Sequence, residues 1–361
     1  MIKLVDKKNK FISLFDPKTG FYVRSGVIEK GKDTGVDPFM TTYPQLIDVG
    51  IMGSCESGRL GLCKNAGIQC YQDGLHKSLP DMTLNDFKKI VDESKGKVLQ
   101  IALGGRGNPN KHKDFGAILK YCRDNDIVPN YTTSGLNLTD EEVSLTKQYC
   151  GAVAVSWQRG QHTRDAIYKF LDAGCKTNIH YVLGNFSIDE ALEKIDGCFD
   201  AFPSGINAVV FLAHKPVGLG DEEEVLKAGN PKVKEFFSII DNKKDFPFKI
   251  GFDSCSVPGI LNYTSKIDKA SIDTCEGARW SMYISADMVA LPCSFDQDHR
   301  WGVKLGDNTT IQNAWNGAYF EDFRGSFKKS CPSCTNRIDC MGSCPIKRQI
   351  VLCDRKEKDL A

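Results

Sequence analysis

The sequence predicts an α/β protein with a parallel β-sheet, followed by a cysteine-rich C-terminal region. Short β-branched runs alternate with amphipathic segments through the middle of the chain, and eight of the 15 cysteines lie between residues 255 and 353. At 361 residues the chain is longer than an ordinary compact domain, so we expect one large α/β domain with an appendage, or two domains.

Six short runs have the composition of buried strands, and they span residues 43–51, 97–103, 127–133, 151–157, 176–183 and 206–213. Helices are predicted between them, since three pairs have the spacing of N-terminal capping boxes: Thr83 with Asp86, Thr139 with Glu142, and Ser187 with Glu190. Six such βα units imply parallel strands with right-handed crossovers, as an open sheet or a partial barrel.

The carboxyl ends of the first three predicted strands carry unusual residues, so we expect the functional site there. They are Gly53-Ser54-Cys55, the glycine-rich segment 104–109, and the segment 132–135. Glycines let a backbone approach a ligand closely and expose its N–H groups. The alternative is that these glycines only form tight turns.

The composition excludes several classes of protein. The formal net charge is +1, from 47 basic and 46 acidic residues, which provides no field for holding a polyanion, so nucleic acid is not expected as a partner. No apolar run approaches the roughly 20 residues that span a bilayer, and no signal-peptide segment opens the chain. We therefore expect no membrane association and a cytoplasmic location, where clustered cysteines more often bind metal or do redox chemistry than form disulfides.

The C-terminal cysteines have the spacing of metal ligands. Five lie close together, namely Cys331, Cys334, Cys340, Cys344 and Cys353. Upstream are Cys255 and the pair Cys275 and Cys293, of which Cys293 ends a predicted hairpin over 279–293. Eight thiolates suffice for two four-cysteine sites, and this density favours iron–sulfur ligation. Two zinc sites, or buried inert cysteines, are the alternatives.

This pattern resembles the radical SAM enzymes that carry a C-terminal SPASM domain. The run from Cys275 to Cys353 matches the seven-cysteine pattern of that domain in number and in nearly all spacings, with one departure at Met288, where the pattern normally has glycine. The resemblance implies a partial (β/α)6 TIM-like barrel over residues 44–252 and a SPASM-type iron–sulfur domain over 253–361. Residues 1–43 form an N-terminal extension with a predicted hairpin around 17–20, which either offers an edge to a peptide or caps the barrel.

The resemblance further implies two auxiliary clusters with interleaved ligands. The first would be held by Cys255, Cys275, Cys293 and Cys344. The second would be held by Cys331, Cys334, Cys340 and Cys353. Because Cys344 lies in sequence among the ligands of the other cluster, the tail should be a single metal-dependent unit.

Three further cysteines follow the first strand, where the family binds its catalytic cluster. They are Cys55, Cys63 and Cys70, with a longer spacing than the usual C-x3-C-x2-C. Three thiolates leave one iron open for S-adenosylmethionine. Together with the two auxiliary clusters, the resemblance implies three [4Fe-4S] clusters in all. The alternative is a degenerate loop without a cluster.

The family pattern also suggests contacts to S-adenosylmethionine. They are predicted at Tyr71, Gly104, Gly105, Thr132 and Ser156. Arg106 stands where the family normally has glutamate. Arg159 and Arg164 are interpreted as solvated charges, although either is a candidate partner for the methionine carboxylate. His180 is interpreted as a satisfied core residue, and Lys215 as a candidate substrate or proton contact.

The function that the resemblance implies is reductive cleavage of S-adenosylmethionine to a 5′-deoxyadenosyl radical, which abstracts hydrogen from a peptide or small protein. The leading hypothesis is maturation of a ribosomal peptide, with ferredoxin or flavodoxin as electron donor. The alternatives are oxidation of a protein residue, as in anaerobic sulfatase maturases, and a non-catalytic iron–sulfur protein for electron transfer.

Overall fold

The computed structural model describes residues 1–196, 202–329, 331, 333–342 and 344–353, without the side chains of 328 and 329. The strands in this part of the chain are β1 (Ile2–Asp6), β2 (Phe11–Phe15), β3 (Tyr22–Arg24), β4 (Ile28–Glu29), β5 (Lys32–Asp33), β6 (Leu46–Val49), β7 (Gln100–Leu103), β8 (Val128–Thr133), β9 (Val153–Ser156), β10 (Thr177–Leu183), β11 (Ala208–Ala213), β12 (Lys249–Phe252), β13 (Ser281–Ile284), β14 (Val289–Leu291) and β15 (Val303–Lys304).

The α-helices of the same residues lie mainly between the strands of the central sheet. They are α1 (Glu56–Arg59), α2 (Leu62–Asn65), α3 (Leu84–Ser94), α4 (Phe115–Asp124), α5 (Asp140–Tyr149), α6 (Gln161–Asp172), α7 (Ile188–Asp196), α8 (Pro231–Asn242), α9 (Val257–Tyr263), α10 (Ile311–Asn316), α11 (Ala318–Lys329) and α12 (Arg337–Cys340). None of these helices combines the length and the apolar character needed to cross a membrane.

Ten strands form one sheet, in the order β12-β11-β10-β9-β8-β7-β6-β13-β14-β15. The six predicted strands are β6 to β11, and each pairs in parallel with its neighbour along the chain. One further parallel strand, β12, was not predicted and lies beside β11. Beyond β6 the sheet continues into β13, which is also parallel to it, so the cysteine-rich region shares this sheet.

The two faces of the parallel strands differ in polarity because side chains alternate along a strand. On the outer face, residues such as Ile47 and Val49 are fully buried, and helices cover this side. The other face, which we call the inner face, carries Asp48, Thr132 and His180 at half-buried positions. Polar residues therefore collect on one side of the sheet, and Asp48 among them borders a cavity.

Helix starts follow the predicted caps. The Thr83 hydroxyl accepts a hydrogen bond from the Asp86 N–H at the start of α3, and Thr139 and Glu142 form a complete capping box on α5. At α7, however, the Glu190 carboxylate accepts from Trp157 Nε1 and Tyr181 Oη. The third predicted pair therefore marks the start of a helix, while the carboxylate of Glu190 joins a tertiary network.

The N-terminal strands form a separate antiparallel sheet in the order β1-β2-β3. The turn between β2 and β3 contains the predicted hairpin segment 17–20, and Gly20 has a positive φ of 75°. Phe15 is fully buried against Leu99 and Val128 at the amino ends of β7 and β8. This packing places the N-terminal sheet at the end of the central sheet opposite the cysteine loop.

The predicted hairpin of the C-terminal region is present, with β13 and β14 antiparallel. Its turn is closed by a hydrogen bond of 2.9 Å from the Met288 N–H to the Ser285 carbonyl. Met288 has a φ of 61°, a left-handed conformation that favours glycine. Met288 therefore adopts here a conformation in which glycine would be unstrained.

Candidate functional site

The loop after β6 brings the three N-terminal cysteines together. Burial raises the pKa of the Cys63 thiol to about 12, and the neighbouring Cys70 and Cys55 raise it further. A Cβ built on Gly74 would lie only 2.8 Å from the Cys55 Cβ, with the Cys55 sulfur at 3.4 Å and the Cys70 sulfur at 3.8 Å. Only a residue without a side chain leaves this space free, so the loop forms a cradle around thiols that lose their protons when a metal compensates the charge.

Hydrogen-bond donors also point at these sulfurs. The Gly58 N–H donates to Cys55 Sγ over 3.2 Å, and Gln158 Nε2 donates to Cys63 Sγ over 3.1 Å. Gln158 in turn contacts His162 Nε2 through its Oε1 at 3.1 Å. Such N–H···S bonds stabilise negative charge on sulfur and tune iron–sulfur centres.

A buried polar network ties this loop to the next two strand ends. Asn108 Nδ2 donates to Ser134 Oγ over 2.9 Å, and the Ser134 N–H donates to Asn108 Oδ1 over 2.8 Å. Ser134 Oγ also lies 3.0 Å from Ser57 Oγ. Hydrogen bonds therefore connect the cysteine loop, the glycine-rich segment 104–109 and the segment 132–135 at the carboxyl ends of the strands.

Four C-terminal cysteines line one small cavity. They are the four predicted for the first auxiliary cluster: Cys255, Cys275, Cys293 and Cys344. The remaining wall is mostly apolar and includes Phe295, Phe323 and Ile350. Burial raises the pKa of the Cys275 thiol to about 12, with a further rise from Cys344. A cavity bounded by four thiols suits a four-cysteine cluster.

The other four C-terminal cysteines form a separate group. Burial raises the pKa of the Cys340 thiol to about 11, and Cys331, Cys353 and Cys334 each contribute to the rise. The segment turns tightly at this point, since the Cys334 N–H donates to the Cys331 carbonyl and the Asn336 N–H donates to Cys334 Sγ. Cys344 lies with the first group although it falls between Cys340 and Cys353 in sequence.

The thiol groups do not have the geometry of a single-ion site. Within the described residues, no three or more His, Cys, Asp or Glu side chains are arranged to hold one metal ion. Zinc bound at about 2.3 Å would draw its sulfurs to roughly 4 Å from one another. In an iron–sulfur cluster each thiolate binds a different iron, so wider spacing is expected.

The remaining cysteines lie apart from these groups. Cys122 and Cys175 are buried and Cys150 is half-buried, and burial raises the pKa of the Cys122 thiol to about 12. They serve as small apolar residues in the core. Cys198 lies outside the described residues.

The residues predicted to contact S-adenosylmethionine lie along the carboxyl ends of the strands. Gly104 borders open space, since a Cβ there would meet no atom within 4 Å, whereas Gly105 lies against Tyr283 and Gly50. Thr132 Oγ1 lies 3.4 Å from His180 Nδ1, and Ser156 is the register partner of His180. The fifth residue, Tyr71, packs its ring 4.4 Å from that of Phe295.

Beside the inner face lies a cavity of about 1060 Å³, bounded by residues of β6, β12 and β13. Its lining includes Asp48 and Glu276 as well as apolar side chains such as Phe248 and Met282. Burial raises the pKa of Asp48 to about 7, and the charge of Glu276 raises it further. Burial likewise raises the pKa of Glu276 to about 7. The cavity is thus large enough for a chain segment and carries carboxyls that titrate near neutrality.

Three predicted cationic candidates have other roles. Arg159 is not a simple solvated charge, because it forms an ion pair of 2.6 Å with Glu190 and donates to the Ala66 carbonyl. Arg164 lies over the ring of Trp157 at 4.9 Å. Lys215 is 3% exposed in its side chain and pairs with Asp253 at 2.5 Å. It lies beside the first auxiliary group rather than in the large cavity, so the interpretation as a substrate contact is not supported by its position.

Some site residues were not found from the sequence. Gln158 lies two positions beyond Ser156, but a single glutamine after a strand carries no recognisable signal. The polar partners Asn108 and Ser57 belong to segments that the glycine and cysteine patterns had marked, and those patterns were the available clue. Asp48 was detectable in principle as a carboxylate that interrupts an apolar strand.

The fold and this grouping of thiols define an α/β protein with three candidate iron–sulfur centres. No known protein family matches the chain, and no curated protein sequence matches it. Solved structures do. The structure of Streptococcus suis SuiB bound to S-adenosylmethionine is 15% identical, with a TM-score of 0.64, over 85% of this chain and 74% of that chain.

Two further structures are similar to the same extent. SuiB bound to the precursor peptide SuiA is 14% identical, with a TM-score of 0.65, over 88% of this chain and 76% of that chain. The enzyme anSMEcpe with bound AdoMet is 13% identical, with a TM-score of 0.61, over 88% of this chain and 92% of that chain. At these identities the likeness establishes the fold alone, which this chain shares with SuiB and anSMEcpe.

Proposed function

We propose that the protein is a radical SAM enzyme that modifies a peptide or small protein. The observation that carries this proposal is the convergence of Cys55, Cys63 and Cys70 at the carboxyl end of β6, in a fold shared with structures that contain S-adenosylmethionine. When bound there, a [4Fe-4S] cluster supplies one electron to S-adenosylmethionine, which yields the 5′-deoxyadenosyl radical that abstracts hydrogen.

In this proposal the residues of the chain bind and orient. Cys55, Cys63 and Cys70 would hold the cluster, and three thiolates would leave a position free for a further ligand. Gly104 presents bare backbone to the methionine group, and Thr132 and Ser156 offer hydroxyls from neighbouring strands. The buried network of Asn108, Ser57 and Ser134 fixes the loops around them, so that little reorganisation is needed when the ligand binds.

The eight C-terminal thiols are proposed to hold two auxiliary clusters. Cys255, Cys275, Cys293 and Cys344 line one cavity. The buried Lys215 lies beside it, and its positive charge compensates the negative charge of thiolates there. Such centres serve to pass electrons or to bind substrate. Their proximity to the large cavity, which shares Cys255, Cys275 and Cys293 in its lining, favours a role close to the substrate.

A peptide is the proposed substrate class. The cavity of about 1060 Å³ beside the inner face has room for several residues of a chain, and two of the similar structures contain peptides, SuiA in SuiB and Cp18Cys in anSMEcpe. A ribosomal peptide precursor is the leading form of this substrate, and ferredoxin or flavodoxin the proposed electron donor.

The test is anaerobic reconstitution followed by iron and sulfide counting and an assay for reductant-dependent 5′-deoxyadenosine. We expect about 12 irons per chain in the wild type. The triple variant C55A/C63A/C70A should retain about eight and form no 5′-deoxyadenosine. The matched control C122A/C150A/C175A, which removes three cysteines outside the groups, should behave as the wild type. A fully loaded wild type that forms no 5′-deoxyadenosine would contradict the proposal.

A further inference from the structure

Arg106 occupies the position at which radical SAM enzymes normally have glutamate. It is buried, with 9% of the residue exposed to solvent. Nη1 donates to the Gly53 carbonyl over 3.1 Å. Nε and Nη2 both donate to the Gln72 carbonyl at 3.3 Å. Among the described residues, no carboxylate lies within ion-pairing distance of this guanidinium.

The two carbonyls flank the cysteine loop. Gly53 precedes Cys55 by two residues, and Gln72 follows Cys70 by two residues. One side chain therefore bonds both ends of the segment that carries all three thiols. We call these hydrogen bonds of Arg106 the clasp. Gln72 is itself buried and donates from Nε2 to the Ser294 carbonyl over 3.4 Å, so the clasp is linked to the C-terminal region.

The backbone around Arg106 is held in place by close packing. Gly107 has a φ of 71°, and a Cβ there would lie 2.3 Å from the Ser54 carbonyl oxygen. Gly105 has a φ of 82°, and a Cβ there would lie 2.5 Å from Tyr283 Oη. The strand-end turn can approach the cysteine loop at Gly107, and Tyr283 of β13 at Gly105, only because both positions are glycine.

The unusual length of the loop explains why a clasp is needed. The segment 55–70 replaces the much shorter C-x3-C-x2-C segment, and a longer loop loses more conformational entropy when its ends are fixed. Its two helices, α1 and α2, have only four residues each and give little stability of their own. A guanidinium has several N–H donors in a rigid plane, so it can bond two acceptors at once. An ionised carboxylate has no donor and cannot bond a carbonyl oxygen.

We infer that Arg106 is a positioning residue that closes the long cysteine loop and holds Cys55 and Cys70 in the arrangement that a cluster requires. This inference rests on the proposed function, since it assumes that the loop binds a cluster. It reverses the expectation from the family pattern, by which restoring glutamate at this position would improve the site. A carboxylate at position 106 would instead face two carbonyl oxygens without a donor between them.

The experiment compares R106E, R106M and R106K with the wild type and with R59M. Arg59 is an exposed residue of the same loop, so R59M is the matched control for removing an arginine there. Iron and sulfide are counted after anaerobic reconstitution, with Mössbauer spectra to quantify the clusters. Electron paramagnetic resonance with and without S-adenosylmethionine monitors the cluster that binds this ligand.

We expect R106M and R106E to lose about a third of the iron and the spectral change caused by S-adenosylmethionine, while about eight irons remain. R106K, which keeps the charge without the planar fork, should retain an intermediate amount of this iron, and R59M should match the wild type. The retained auxiliary iron and an unchanged melting temperature of the rest of the protein serve as the folding control.

Full iron and an unchanged spectral response in R106M and R106E would overturn the inference, and so would a gain of 5′-deoxyadenosine formation in R106E. Loss of all iron in R106M would also overturn it, because Arg106 would then support the whole fold rather than the loop. A wild type that binds only about eight irons would instead contradict the proposed function itself.

Discussion

Gln158 Nε2 lies 3.1 Å from the Cys63 sulfur and donates a hydrogen bond to it. The side chain comes from the loop after β9, so a residue far from the cysteine loop in sequence forms a hydrogen bond with one of its sulfurs. His162 lies on the other side of the same amide and helps to fix its orientation.

The variant Q158L should lower the reduction potential of the cluster that Cys55, Cys63 and Cys70 are proposed to hold. An N–H···S bond stabilises the more negative, reduced state, and a net value of about 0.5–1.5 kcal/mol corresponds to about 20–60 mV for one electron. The potential is measured by a redox titration followed by electron paramagnetic resonance. The variant H162Q, which keeps Gln158, should change it much less. An unchanged potential in Q158L would show that the bond does not persist in the loaded protein.

The assignment of Cys344 to the first auxiliary group predicts different spectra for two neighbouring cysteines. C344A should remove or alter the cluster that Cys255, Cys275 and Cys293 share, because these four line one cavity. C340A should instead affect the cluster of Cys331, Cys334 and Cys353. Mössbauer and electron paramagnetic resonance spectra of the two variants distinguish these outcomes, and identical spectra would contradict the assignment.

Because of His180, we expect the folded protein to lose stability as the pH falls. Burial lowers its pKa from 6.5 to about 4, so between these pH values the unfolded chain binds a proton that the folded protein does not. Stability therefore falls as the pH falls through this window, by about 2 kcal/mol between pH 7 and pH 5.

The comparison of wild type with H180Q by urea unfolding at several pH values isolates this effect. The free energy of unfolding of H180Q should decrease less between pH 7 and pH 5. The control variant H299Q removes an exposed histidine and should follow the wild type. Parallel pH profiles for wild type and H180Q would exclude a buried neutral histidine at this position.

For Asp48 we expect the opposite dependence of stability on pH. Its pKa is raised from 3.8 to about 7 by burial and by Glu276, so the folded protein binds a proton that the unfolded chain releases at lower pH. Its contribution to stability declines as the pH rises from about 4 to 7. The variant D48N should therefore be more stable than wild type at pH 8, by about 1–3 kcal/mol, and the difference should shrink at pH 5. A constant difference in thermal or urea unfolding would contradict this.

Much of the fold was predictable from local pattern. The strands β6 to β11 are β-branched runs bounded by turn and cap residues, and the first two capping pairs indicate real helix starts. The strand β12 was missed because Lys249–Phe252 is short and contains a glycine, and only pairing with β11 makes it a strand. The parallel pairing of β13 with β6 was equally invisible, since it joins segments more than 200 residues apart.

The grouping of the cysteines in the candidate site was predictable, but the residues that support them were not. Cysteine spacing and the family resemblance indicated which thiols form each group. The role of Arg106 could not be derived, because its acceptors are the backbone carbonyls of Gly53 and Gln72 and carbonyls leave no signature in a sequence. The same holds for Gln158, whose partner Cys63 lies 95 positions away.

The parallel pairing of β13 with β6 has a consequence for how this protein can be divided. Ile47 and Val49, which lead into the cysteine loop, are register partners of Met282 and Ile284, which lie between two thiols of the first auxiliary group. Removing the C-terminal region would leave β6 with an unpaired edge, ready to associate with other chains. The two regions are therefore poor candidates for exchange as independent modules, and a swapped tail would have to supply a matching strand as well as matching cysteines.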